Sequence, residues 1–115
     1  MGHPDHRRAI RRQCNLPFEI HTGTSSFPIK GETSDVSLYG CYVQLLYTLP
    51  KDIIVELVLW LDDSPLRTPA RIVTTDPSVG NGIEFLDMAP EDRTRLTAFL
   101  EKLNSPEAGS GPIFR

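Results

Sequence analysis

Period two governs most of this chain. Six short stretches alternate apolar with polar residues, or run as β-branched apolar segments, and each is closed off by turn-forming residues. In Leu16-Pro17-Phe18-Glu19-Ile20-His21-Thr22, the residues Leu16, Phe18 and Ile20 share one face. Gly23-Thr24-Ser25-Ser26 reads as a turn. Residues 28–36 form a second, weaker strand that contains Gly31, and Tyr39 to Leu46 a third, with Cys41, Val43 and Leu45 on one face. Leu49-Pro50-Lys51-Asp52 breaks the pattern. Ile53 to Leu61 is the strongest strand, with Trp60 expected in the core or against a helix. Asp62-Asp63-Ser64-Pro65 ends it as a solvated turn. Arg67 to Thr75 is a fifth strand, with Ala70, Ile72 and Thr74 on one face. Residues 76–82 form a loop, and Ile83 to Leu86 a sixth strand.

The period then changes. Pro90 suits the first helical position, and Glu91 and Asp92 suit the positive end of the helix dipole. Leu96, Phe99, Leu100 and Leu103 recur at spacings of three and four, so one helix face is apolar and is expected to pack on the sheet. Asn104-Ser105-Pro106 stops the helix. The fold class that follows is mainly β: a six-stranded antiparallel β-barrel with a C-terminal α-helix. One domain is expected over residues 7–104, with a mobile N-terminus at 1–6 and a flexible tail at 105–115.

Charge narrows the function classes. Residues 1–12 hold four arginines against Asp5, while the remainder holds eight Lys and Arg against fourteen Asp and Glu. An acidic body with a basic arm argues against broad nucleic-acid binding and for one localised anion site. An oligonucleotide-binding barrel would need interleaved aromatics along a basic groove, which this chain lacks. Cys14 and Cys41 have no metal spacing and are expected to be reduced and partly buried; no metal is expected. No apolar run approaches the ~20 residues of a membrane span, and the arginine-rich start lacks the apolar core of a signal peptide. A cytoplasmic protein without membrane insertion is the expectation. The three histidines and Ser37 fall in no catalytic arrangement, so an enzyme is not expected.

Two polar features remain. Arg7, Arg8, Arg11 and Arg12 cluster ahead of the first strand, and Asp35-Val36-Ser37-Leu38-Tyr39-Gly40 separates the second from the third. Guanidinium groups match phosphate oxygens and stack on bases. A carboxylate accepts the N–H groups of a guanine edge, and a hydroxyl and a bare glycine backbone add short-range contacts. Together they suit a nucleotide carrying two phosphates and a guanine. The plainer alternatives are a solvated basic arm, a turn in which Asp35 and Ser37 satisfy backbone donors, and a glycine required by the strand itself.

With these residues in this order, the chain resembles a PilZ domain over roughly residues 7–103. The likeness rests on Arg8-Ala9-Ile10-Arg11-Arg12 as Arg-x-x-x-Arg, on Asp35 to Gly40 as Asp-x-Ser-x-x-Gly, and on Gly82 to Arg93 as the closing strand and helix. The resemblance implies a bacterial signalling barrel that binds cyclic di-GMP, with no further cofactor. It implies phosphate and guanine contacts from Arg8 and Arg12, guanine-edge contacts from Asp35 and Ser37, and room for the ligand at Gly40. Arg7 stands where a basic residue favours an intercalated ligand dimer. Arg7 and Arg11 share the motif spacing; Arg8 and Arg12 are preferred because they leave a short gap to the strand at Leu16. The implied role is a receptor or adaptor whose arginine arm orders on the ligand and signals to a partner in motility, secretion or biofilm machinery. The competing reading is a PilZ-like protein-interaction module that does not bind the nucleotide.

Overall fold

A computed structural model of the chain describes residues 11–103. The expected mobile start, the expected tail, and Arg7 and Arg8 lie outside the described residues. The elements in chain order are β1 (Arg12–Gln13), β2 (Pro17–His21), β3 (Ile29–Val36), β4 (Gly40–Gln44), β5 (Ile54–Leu61), β6 (Ser64–Asp76), β7 (Gly80–Phe85) and α1 (Pro90–Leu103). The strand order is β1-β3-β2-β5-β6-β7-β4, and β4 pairs back onto β3. Strands β2 to β7 therefore close into a six-stranded barrel, antiparallel at every pairing.

Alternation along the strands fills the barrel. Val55, Leu57, Leu59 and Leu61 of β5 point inward and meet Phe18 and Ile20 of β2, Leu66, Ala70 and Ile72 of β6, and Ile83 and Phe85 of β7. Leu96 and Leu100 of α1 join this core together with Met88. Each such aliphatic or aromatic side chain contributes about 1.5–3 kcal/mol when fully buried. Two expectations change. Trp60 is half-buried and outside the core, because Leu59 and Leu61 on either side take the inward positions. Leu103 is exposed, because the apolar stripe of α1 outlasts the surface it packs on.

Three differences at the strand ends have local causes. The expected break at Asp62–Pro65 is a two-residue hairpin turn, with Leu61 paired to Ser64 and Asp62 in the left-handed region at φ 58°. Pro65 is tolerated in β6 because β7 pairs with that strand only from Ala70 onward, so no third strand needs its missing N–H. Gly80 to Gly82 belong to β7 rather than to a loop. Asn81 there is fully buried and clamps the loop between β4 and β5. Its Oδ1 accepts from the Leu49 N–H at 2.8 Å, and its Nδ2 donates to the Leu49 carbonyl at 2.9 Å and the Thr74 carbonyl at 3.1 Å.

Strand β1 was not expected. It pairs with β3 on the same edge as β2, through Arg12 with Val36 and Gln13 with Asp35, so β1 and β2 are one strand interrupted at residues 14–16. Thr33 stitches the interruption. Its hydroxyl accepts from the Leu16 N–H at 2.9 Å and donates to the Cys14 carbonyl at 2.5 Å. Asn15 Nδ2 adds a bond to the Thr33 carbonyl at 2.7 Å. Because successive strands reverse direction, Arg11, the β3–β4 turn, the β5–β6 turn and the start of α1 gather at one end of the barrel.

Candidate functional site

The turn from β3 to β4 is built by Ser37. The Ser37 N–H donates to the Gly40 carbonyl at 2.8 Å, and the Ser37 hydroxyl accepts from the Tyr39 N–H at 3.1 Å and the Gly40 N–H at 3.3 Å. With its side chain inside the turn, Ser37 is buried. Gly40 opens β4 directly against β7. A Cβ placed there would lie 2.1 Å from the Ile83 carbonyl oxygen, so the close approach of two backbones requires glycine at this position. The turn reading thus describes Ser37, and the strand reading describes Gly40. Asp35 does something else: its carboxylate accepts from the Arg11 guanidinium in an ion pair, with Asp35 itself half-buried.

Strand alternation sorts the arginines. Partners across an antiparallel ladder project from the same side of the sheet. Arg12 pairs with Val36, which faces the core, whereas Gln13 pairs with Asp35 on the outer face. Arg11 shares the parity of Gln13, and its guanidinium meets Asp35 there. Of the sequence-expected residues, the structure thus brings Asp35, Ser37 and Gly40 together and puts Arg11 beside them, while Arg12 belongs to the opposite parity.

Arg11, Ser37 and Gly40 border an open groove of about 540 Å³ on the outer face of the barrel. One side carries Arg11 with Ser37, Tyr39 and Gly40 of the turn. The other carries Arg71 and Val73 of β6 and Glu84 of β7. Arg71 Nη2 donates to Glu84 Oε1 at 2.7 Å, and both side chains are well exposed. Arg71 and Glu84 are direct ladder partners, and Glu84 is also the ladder partner of Gly40. The sequence signalled their outward direction, since Ala70 and Ile72 take the inward positions on β6, but not which strand would lie beside them.

The charges reach inward as well. Burial pushes the Cys41 thiol up to about 12, the Asp35 carboxylate adds to the rise, and the Arg11 guanidinium opposes it. Cys14 and Cys41 are both free thiols, the first half-buried and the second fully buried. The turn is also tied to the helix: Arg93 Nη1 donates to the Leu38 carbonyl at 3.2 Å, and its guanidinium lies 5.9 Å from the centre of the Tyr39 ring. Among the described residues, no group of His, Cys, Asp and Glu could hold a metal ion, and no helix is long and apolar enough to cross a membrane.

The residues thus build a small closed barrel capped by a helix, with an arginine- and carboxylate-lined groove beside one mouth. The chain belongs to the PilZ domain family, whose model matches residues 5–102. Among solved structures, it is similar to the PilZ domain of CeSA from a cellulose-synthesizing bacterium. That match has 27% identity and a TM-score of 0.65, over 81% of this chain and 99% of that one. It is also similar in fold to the Bacillus subtilis inhibitor of motility MotI/DgrA, at 20% identity and a TM-score of 0.69. There, 86% of this chain matches 52% of that protein, so the chain spans about half of its length. The comparison with curated proteins finds no match. PilZ domains are in general cyclic di-GMP receptor or adaptor domains rather than enzymes.

Proposed function

We propose that this domain is a cyclic di-GMP receptor, and that its site is the groove between Arg11 and the β3–β4 turn on one side and β6 on the other. The observation that carries the reading is the convergence of Arg11, Asp35, Ser37 and Gly40 at one mouth of a PilZ barrel. Arg11 holds a carboxylate that a guanine edge can take over, which frees the guanidinium for a phosphate. Exposed ion pairs of this kind contribute only about 0–1 kcal/mol, so the exchange costs little, whereas bidentate phosphate contacts are strong. Parity favours Arg7 and Arg11 as the motif pair over Arg8 and Arg12, with Arg7 four residues before Arg11. Arg8 and Arg12 then supply positive charge beside the site.

In this reading the arginine arm fixes its path on the ligand, and the combined surface is read by a partner protein in motility, secretion or biofilm control. Calorimetric titration of the purified chain with cyclic di-GMP, cyclic di-AMP and a single-stranded oligonucleotide tests it. Saturable binding of cyclic di-GMP alone is expected, and a stoichiometry of two ligands per domain marks the intercalated dimer. No binding of cyclic di-GMP removes the reading in favour of a protein-interaction module.

A further inference from the structure

Groups outside the motif residues line the far side of the groove, and their chemistry repeats that of the near side. On the near side Arg11 pairs with Asp35; on the far side Arg71 pairs with Glu84. Gly40 stands next to Glu84 in the ladder and carries no side chain to obstruct the strip between the two pairs. Around the barrel wall β4 and β7 lie between β3 and β6, and Arg11 and Arg71 border the same groove over them. Val73, two residues along β6 from Arg71, adds a half-buried apolar surface on the same side.

Resting on the reading of this groove as the cyclic di-GMP site, we infer that Arg71 and Glu84 form a second half-site, which takes the other guanylate of the ligand. Arg71 binds its phosphate and Glu84 accepts its guanine N–H groups. The charges support this division. A cyclic dinucleotide brings two phosphates, and among the described residues each ion pair places one guanidinium at the groove. A carboxylate in a groove for a dianion is unfavourable unless it meets a donor-rich group, and guanine offers an imino and an amino N–H side by side. Arg71 and Glu84 are both well exposed, so separating them costs little before the ligand satisfies each. Val73 supplies the apolar contact on which a base can rest.

The test is calorimetry on the full chain with cyclic di-GMP and cyclic di-AMP, comparing the parent with Arg11→Ala, Arg71→Ala and Glu84→Gln, each with a thermal melt. Arg71→Ala is expected to weaken cyclic di-GMP binding about tenfold or more, as a bidentate contact implies. Glu84→Gln replaces one acceptor by a donor, so it is expected to narrow the preference for cyclic di-GMP over cyclic di-AMP by about tenfold. The melts are expected to stay close to the parent. If Arg71→Ala is destabilised, Arg71→Lys keeps the charge and loses the planar fork, and it must still weaken binding. Parental affinity in the Arg71 variants, or unchanged selectivity in Glu84→Gln, while Arg11→Ala loses binding, overturns the second half-site and leaves the receptor reading in place. A parent chain that binds no cyclic di-GMP removes both.

Discussion

Arg11 and Arg12 are neighbours in sequence and differ in what they can reach. The two-residue ladder between β1 and β3 sends one parity to the outer face with Asp35 and the other to the side of Val36. Sequence spacing fitted both Arg7/Arg11 and Arg8/Arg12, and the short gap to Leu16 favoured the second pair; the face of a strand is set instead by its ladder partner, which lies more than twenty residues away. The expected outcome is that Arg11→Ala weakens cyclic di-GMP binding by at least ~2 kcal/mol, about thirtyfold. Arg12→Ala should weaken it by less than about fivefold, a difference that titration of the two variants resolves. At the same scale, Cys41 makes stability depend on pH. Its thiol ionises near 9 when exposed and near 12 when buried in the fold. The unfolded chain therefore releases a proton that the folded chain keeps. Stability from this group is complete below about pH 9 and declines as pH rises toward 12, by up to about 1.4 kcal/mol per pH unit. Tyr42 acts in the same direction through its hydrogen bond to Asp76. Urea unfolding at pH 8 and pH 10.5 should show the loss, and Cys41→Ala should make it shallower.

Most of the strands and the helix were legible in the sequence, because alternation and the shift to helical spacing are local signals. What was not legible came from tertiary hydrogen bonds. Residues 12–13 form a strand because Thr33 pins the chain at Cys14 and Leu16, which aligns β1 with the end of β3. Asn81 read as a loop residue, and it is buried because the loop before β5 folds back onto its amide. Two variants test these roles. Thr33→Val keeps the volume and deletes both hydroxyl bonds; it should cost about 1–3 kcal/mol in urea unfolding and also weaken cyclic di-GMP binding, since it releases the segment that carries Arg11. Asn81→Ala should cost about 2–3 kcal/mol, because the Leu49 N–H loses its acceptor and the Thr74 carbonyl a donor, while the Leu49 carbonyl keeps only the Thr75 hydroxyl, and should leave ligand affinity within about threefold. Loss of affinity in the Asn81 variant, measured below its melting transition, would contradict the separation of the two barrel ends.

At the scale of the molecule, the barrel is closed by a single strand. β4 pairs with β3 on one side and β7 on the other, and its first residue is Gly40. The β3–β4 turn just before it is held to α1 through Arg93, so groove and helix meet at the same corner. Ordering of the arginine arm is expected to appear as slower amide hydrogen exchange over residues 5–15 when cyclic di-GMP is added. Equal exchange in both states would place the signal in the corner joined by Arg93 instead. The closing strand also bears on what a genetic screen would record. Any side chain at Gly40 meets the Ile83 carbonyl, a backbone atom that cannot move aside, so substitutions there break the ring before they touch a ligand. Under the proposed receptor role, a cell carrying such a change would lose the signal much as an Arg11 variant would, but with far less folded protein present. Abundance, rather than phenotype, is what separates a residue that holds the messenger from one that holds the barrel shut.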